Sequence, residues 1–279
     1  MSCTRLTTVK LLLLFVFVST VAAAQDRAEG VPTSRFGIYV GRGELIVNPF
    51  FAYTTDHNRE YLPSQLGYGL VQDYRGRFRS TEGLLFIAYG VTDWLAVELE
   101  GSRIRASLDK SSSDTSATPS RIVESGLSDL EGQVRMRLVR EQHGRPEVFG
   151  FLEVTIPSLT RKVLIGNPDW DLRPGFGIVR AFPWGTMTTR ITVEYNHDDR
   201  LWDLGEFAIE YLKRLSPSVR MNLAFEGGET GAMDEFGLVA GVQWRIRDSF
   251  LLKIDNAIGL MSKADDWAPE VGVVWSLGR

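Results

Sequence analysis

Hydrophobic residues in this chain recur at every second position. Phe236, Leu238, Ala240, Val242, Trp244 and Ile246 alternate with residues that are mostly polar or small, among them Glu235, Gly237, Gly241, Gln243 and Arg245. The alternation returns in Val219, Met221, Leu223 and Phe225 against Arg220, Asn222, Ala224 and Glu226, and in Phe250, Leu252 and Ile254 against Lys253 and Asp255. Leu130, Gly132, Val134, Met136 and Leu138 interleave with Glu131, Gln133, Arg135 and Arg137. A helix would scatter each set around its circumference, whereas a strand collects it on one face. The chain therefore reads as all-β.

About twelve such segments can be marked off, each near the ~9–11 residues that a tilted strand needs to cross a bilayer. They are expected to start near Glu44, Ser80, Trp94, Glu124, Glu147, Trp170, Met187, Leu201, Val219, Asp234, Phe250 and Trp267. Short links at 92–93, 142–146, 183–185, 216–218 and 247–249 alternate with longer, more polar links at 57–72, 109–121, 158–169, 197–200, 227–233 and 262–266. That rhythm predicts a transmembrane antiparallel up-and-down β-barrel with an even strand count, short turns in the periplasm and long loops outside. Trp94, Trp184, Trp244 and Trp275 fall near the expected periplasmic ends, and Trp170, Trp202 and Trp267 near the external ends. Two such rings are the aromatic girdles of a membrane barrel. In a soluble sandwich the same residues would meet in a shared core, but no amphipathic helix is visible to cover the oily faces, and exposed bands of that size suit lipid.

Composition adds limits. The 279 residues, 44% of them hydrophobic, suffice for one sizeable barrel. The apolar run at residues 11–18 follows Arg5 and Lys10 and precedes Ala22, Ala23 and Ala24, the layout of a cleaved secretory signal cut after Ala24. Residues 25–279 then form a single barrel domain. Cys3 is the only cysteine and leaves with the signal, so no disulfide, thiolate metal site or lipid-modified N-terminal cysteine is expected. Cleavage leaves 29 of 31 basic residues against 35 acidic ones, a net charge of −6 that argues against nucleic acid as a partner.

If the oily faces meet lipid, the interleaved residues line the lumen. The acids so placed are Glu98, Glu100, Asp129, Glu131, Glu153, Glu194, Glu206, Glu210, Glu226, Glu235 and Asp255. The bases are Arg135, Arg137, Arg173, Arg190, Arg220, Arg245 and Lys253. With acids in excess, a wet lumen favours cations or neutral solutes; alternatively the charges pair and seal it. No catalytic constellation, metal site or cofactor is expected. His57, His143 and His197 lie in turns or loops, none beside a mid-strand serine. His197, Asp198 and Asp199, like Asp265 and Asp266, read as solvated loop residues before cation ligands. Gly41, Arg42 and Gly43 lack the rest of a phosphate loop. Tyr61, Tyr68 and Tyr74, with Leu62, Leu66 and Leu70, either fold inward as a constriction or apolar patch or pack on the rim.

Residues 124–158, ESGLSDLEGQVRMRLVREQHGRPEVFGFLEVTIPS, open a strand on Gly-x-x-Asp, continue through a hairpin and close the second strand on Pro. The segment resembles the phenol-degradation meta-pathway family of outer-membrane barrels. Gly126, Asp129 and Pro157 match its pattern, while Ser158 and Leu159 replace the family's Thr and Gly. The resemblance implies a bacterial outer-membrane channel or transporter-like barrel for small solutes, aromatic or apolar ones included. Its partners would be outer-membrane lipids and the outer-membrane assembly machinery. The chain ends Trp275, Ser276, Leu277, Gly278 and Arg279 where many such barrels end on an aromatic residue. A sealed barrel working through its external loops and a soluble secreted β-protein binding an apolar ligand are the alternatives.

Overall fold

A sheet with an oily outer face in lipid cannot leave an edge strand unpaired, because nothing there hydrogen-bonds the open N–H and C=O groups. The chain meets that demand by closure. In the computed structural model, which describes residues 29–33, 37–142, 144–157, 162–166, 170–196, 201–228, 236–261 and 263–278, twelve strands form a closed barrel. Residues 11–18, His143, Ser158, Leu159, the 197–199 cluster and Glu235 lie outside the described residues.

A short hairpin, β1 (Val31–Pro32) and β2 (Tyr39–Val40), precedes the barrel. The wall begins with β3 (Leu45–Tyr61), β4 (Tyr74–Gly90), β5 (Leu95–Asp109), β6 (Arg121–Val139), β7 (Glu147–Ile156) and β8 (Asp171–Phe182). It continues with β9 (Gly185–Asn196), β10 (Leu201–Arg214), β11 (Val219–Gly227), β12 (Phe236–Arg247), β13 (Phe250–Gly259) and β14 (Ala268–Leu277). Every neighbour is antiparallel, and β14 returns to β3 with Leu277 opposite Leu45 and Glu270 opposite Ala52. One end of the cylinder carries the short turns, the other the longer loops.

The faces divide as the alternation requires. Leu85, Leu99, Val134, Phe176, Val242 and Ile254 are exposed on the outside, whereas Asn48, Ala88, Arg135, Phe149 and Gln243 are buried inside. All seven tryptophans are exposed on the outer surface at strand ends, several against a neighbouring ring: Phe182–Trp184 at 4.7 Å, Tyr195–Trp202 at 5.1 Å, Phe250–Trp275 at 5.6 Å. The oily stripes do not meet across a dry interior, so the sandwich is overturned. No helix among the described residues is long and apolar enough to cross a membrane.

Ten strands begin within two residues of the expected positions; β4 and β6 begin earlier, at Tyr74 and Arg121. The outward positions of those extensions hold Arg75, Arg77, Arg79 and Arg121, so the oily period stops at the edge of the lipid while the ladder continues. Strands β3 to β6 run 17, 17, 15 and 19 residues, against 9 to 14 in the other eight. A 17-residue strand is about 56 Å long at ~3.3 Å per residue, or roughly 40 Å along the membrane normal at a ~45° tilt, beyond the ~30 Å of hydrocarbon. This sector therefore stands above the membrane at the loop end.

Both mouths are partly filled. At the turn end the β1–β2 hairpin enters the cylinder, with Val31 and Val40 fully buried among Ile46, Phe86, Ala88, Leu251 and Val274. Its approach to the wall needs a glycine: a Cβ on Gly90 would lie 1.9 Å from the Gly41 carbonyl oxygen. Gly37 reaches the opposite wall beside Glu210 and Leu212. At the loop end Leu66 and Leu70 from one loop and Leu164 and Ile165 from another pack on Tyr61, Tyr74, Phe78 and Leu108.

Candidate functional site

The interior is assembled from side chains that the pleat turns inward, and its middle is ionic. Arg173 on β8 is the hub: its guanidinium lies 3.4 Å from Glu153, 3.5 Å from Asp171, 3.4 Å from Glu194 and 3.8 Å from Glu206. Arg135 is fully enclosed, 3.4 Å from Glu98, hydrogen-bonded to Gln133 and stacked over Phe149 and Phe151 at 5.0 and 5.1 Å. Arg137 pairs with Glu147 at 3.1 Å and covers the ring of Tyr39, tying the hairpin to β6. Lys253 meets Asp255 at 2.6 Å, and Asn222 donates to Asp255 at 3.0 Å. Arg190 stands 4.0 Å from Glu226. Taking such charges out of bulk water is costly, so each buried one is held by opposite charge or hydrogen bonds.

These groups surround spaces of different size. A narrow void of about 60 Å³ lies among Glu98, Glu100, Glu131, Glu153, Arg173 and Arg190. A wider cavity of about 500 Å³ has Glu206, Glu210, Glu226, Lys253 and Asp255 on one side and Phe50, Leu84 and Glu82 of β3 and β4 on the other. A third, of about 620 Å³, flanks the hairpin at the turn end and takes in Tyr39, Arg220 and Arg245. Asp129 occupies a β6 bulge, where Leu127 and Leu130 pair with Arg103 and Gly101, and its carboxylate lies against Gly166 of the inward loop.

The alternation did not expose the apolar part of this interior. Inward Phe50, Leu84 and Phe86 line the middle of β3 and β4, below the mouth cluster of Tyr61, Tyr74 and Phe78. In these strands the run 84–88 is apolar on both faces, so period two carries no information about which face is inside. Gln133, Asn222 and Gln243 are buried at the interleaved positions that the alternation turns inward, and Asn48 joins them from β3. Tyr61 and Tyr74 are buried in the mouth, 6.0 Å apart between ring centres. Tyr61 donates to Asp114 at 2.9 Å and accepts from the Ser111 amide.

The loops are fastened by carboxylates. Although burial alone would raise Asp114, hydrogen bonds from Ser116 and Tyr61, with Lys110 nearby, hold it below the usual carboxylate range. Asp266 accepts from the backbone and the ring of His57, at 2.8 and 2.7 Å, and those bonds lower it. Burial pushes its neighbour Asp265 up, against the pull of Arg59 at 3.3 Å. Among the described residues no cluster of three or more side chains could hold a metal ion.

No family model matches the chain, and no curated protein matches it. Solved structures share the fold. An outer-membrane channel from Pseudomonas putida F1 superposes with a TM-score of 0.60 at 13% identity, covering 85% of this chain and 97% of that one. The translocator domain of the autotransporter NalP from Neisseria meningitidis superposes with a TM-score of 0.51 at 11% identity, covering 84% and 88%.

Proposed function

We propose that the chain is a bacterial outer-membrane channel for small neutral or apolar solutes, gated at the periplasmic mouth by its own N-terminal hairpin. The observation that carries this reading is the two-sided lumen. A cavity of about 500 Å³ has Phe50 and Leu84 beside Glu82 on its β3–β4 wall and further carboxylates opposite, a volume suited to a small molecule. An apolar solute entering past Tyr61, Tyr74 and Phe78 passes Thr54 and Glu82 before it meets Phe50, Leu84 and Phe86, so it finds apolar contact at two levels with a polar belt between them. The neighbouring acids repel anions. The short-turn end, where the hairpin sits, faces the periplasm.

The name of the Pseudomonas putida neighbour, an outer-membrane channel, supports the location. The resemblance of residues 124–158 supports a finer placement with the phenol-degradation meta-pathway barrels. Export by a signal cut after Ala24 and insertion by the outer-membrane assembly machinery belong to the same reading.

A sealed barrel is the second reading, and the Arg173 cluster together with the filled turn-end mouth favours it. Planar-bilayer recording on refolded protein separates the two. A channel gives single-channel steps that grow when residues 29–40 are deleted, and liposomes loaded with it admit a small aromatic probe. An electrically silent barrel that excludes the probe even after the deletion would be a sealed one.

A further inference from the structure

The outer wall carries a cluster of arginines at the loop end of β4, β5 and β6. Above the lipid-facing Leu85, Leu99 and Leu130, the outward positions of β4, β5 and β6 become Arg75, Arg77, Arg79, Arg103, Arg105 and Arg121, with Leu127 level with Arg103. The sector's outward acids are already engaged: Glu60 holds Arg75 at 3.1 Å and Asp109 holds Arg121 at 3.5 Å. Arg77, Arg79, Arg103 and Arg105 have no ion pair among the described residues. Thr81 is opposite Arg105 and Ser107 opposite Arg79, so these two arginines sit on a diagonal of adjacent rows. Like charges so placed on a sheet repel, and the arrangement is costly without an anion between them.

Two surface grooves meet at this cluster. The upper, of about 410 Å³, is lined by Arg79, Arg105 and Arg121 with Tyr53 and Val123. The lower, of about 660 Å³, is apolar, with Leu85, Leu127 and Leu130 around Gly83 and Gly101, and Arg103 stands at its top. Gly83 leaves open space above the strand, since a Cβ there would meet nothing within 4 Å. A basic groove directly above an apolar one matches one kind of molecule, an anionic headgroup with hydrocarbon attached.

We propose that this face of β4–β6 binds a phosphorylated, acylated lipid of the outer leaflet. Its phosphate lies between Arg79, Arg103 and Arg105, and an acyl chain lies over Gly83. Guanidinium forks fit phosphate oxygens two at a time. The height agrees, because the extra length of β3 to β6 lifts these arginines to the headgroup level at the loop end. The proposal needs the transmembrane barrel and not the transport reading.

The test uses the full mature chain in detergent, with bis-phosphorylated lipid A, its dephosphorylated counterpart and inorganic phosphate as probes. Heat-modifiable gel mobility reports that each variant is folded. Lipid A is expected to bind the wild type, to weaken as salt is raised, and to bind R79Q/R105Q about tenfold less tightly, the loss of two solvent-exposed charge pairs. The G83L variant, which leaves every arginine in place, is expected to weaken it as well by filling the acyl groove. Equal binding of lipid A to the wild type and to R79Q/R105Q would overturn the proposal. So would equal binding of the dephosphorylated lipid, or displacement of lipid A by inorganic phosphate at matched concentration, which would make the site one for free anions.

Discussion

Arg173 holds Glu153, Asp171, Glu194 and Glu206 around one guanidinium, and that ratio makes it the residue the interior can least spare. Removing one partner of a buried ionic cluster leaves uncompensated charge, typically at a cost of ~3–5 kcal/mol. Arg173→Gln is therefore expected to lower the unfolding free energy of the refolded barrel, read from urea titration, by an amount of that order. Arg180, whose more exposed side chain meets Glu141 at 3.8 Å, provides the contrast: Arg180→Gln should cost no more than ~1 kcal/mol. A similar loss in both variants would show that the Arg173 cluster is solvated rather than buried. A second expectation concerns the loop that Asp114 ties to Tyr61. Because the folded-state value of Asp114 is depressed, its contribution is present above the unfolded value, ~3.9, and is lost as the pH falls through the lower folded one. Unfolding midpoints of the wild type and Asp114→Ala should differ at neutral pH and converge in acid. A gap that persists unchanged at low pH would mean the charge of Asp114 does not matter.

At the scale of elements, the β1–β2 hairpin is seated by a contact that admits no side chain. Gly90 faces the Gly41 carbonyl so closely that a Cβ would come to 1.9 Å of it. Gly90→Val is expected to unseat the hairpin while the β4–β5 ladder persists, raising single-channel conductance toward that of the chain lacking residues 29–40. Unchanged conductance in a folded Gly90→Val barrel would remove the hairpin as the obstacle. The sequence announced the wall far better than this element. Strands such as β12 and β13 alternate because one face meets lipid and the other water, a contrast that repeats at every step and marks both strand and register. The hairpin is buried inside the cylinder, where Val31, Tyr39 and Val40 contact apolar and charged residues alike, and two-residue strands are too short to show any period. Inward Phe50, Leu84 and Phe86 were hidden for the opposite reason: oily residues on both faces of β3 and β4 cancel the contrast that the reading depends on. The charged interior was legible because Glu98, Arg135 and Arg173 interrupt oily strands at the right spacing. Which charge pairs with which was not, since partners such as Arg173 and Glu206 come from strands that do not adjoin.

The whole molecule separates charge by surface: unpaired arginines collect on the outer face of β4 to β6, while carboxylates face the wider cavity within. Ions passing through respond to charges that water reaches, not to charges already neutralised in the wall. Glu206 and Glu226 keep about half of their side-chain surface open, at 52% and 46%, although each stands near an arginine. Glu98 is 3% open beside Arg135. Cation preference, read as a reversal potential across a salt gradient in the chain lacking residues 29–40, should therefore reside in the first two. Glu206→Gln with Glu226→Gln is expected to shift the reversal potential toward zero. Glu98→Gln should leave it unchanged and cost stability instead, since it strands the enclosed Arg135. Raising salt should shrink the wild-type preference as the Debye length falls from ~10 Å at 0.1 M to ~3 Å at 1 M. If Glu98→Gln alone abolished the preference, the conducting path would run through the narrow void beside Arg135 and not along the two-sided cavity. The apolar β3–β4 wall would then face no moving solute.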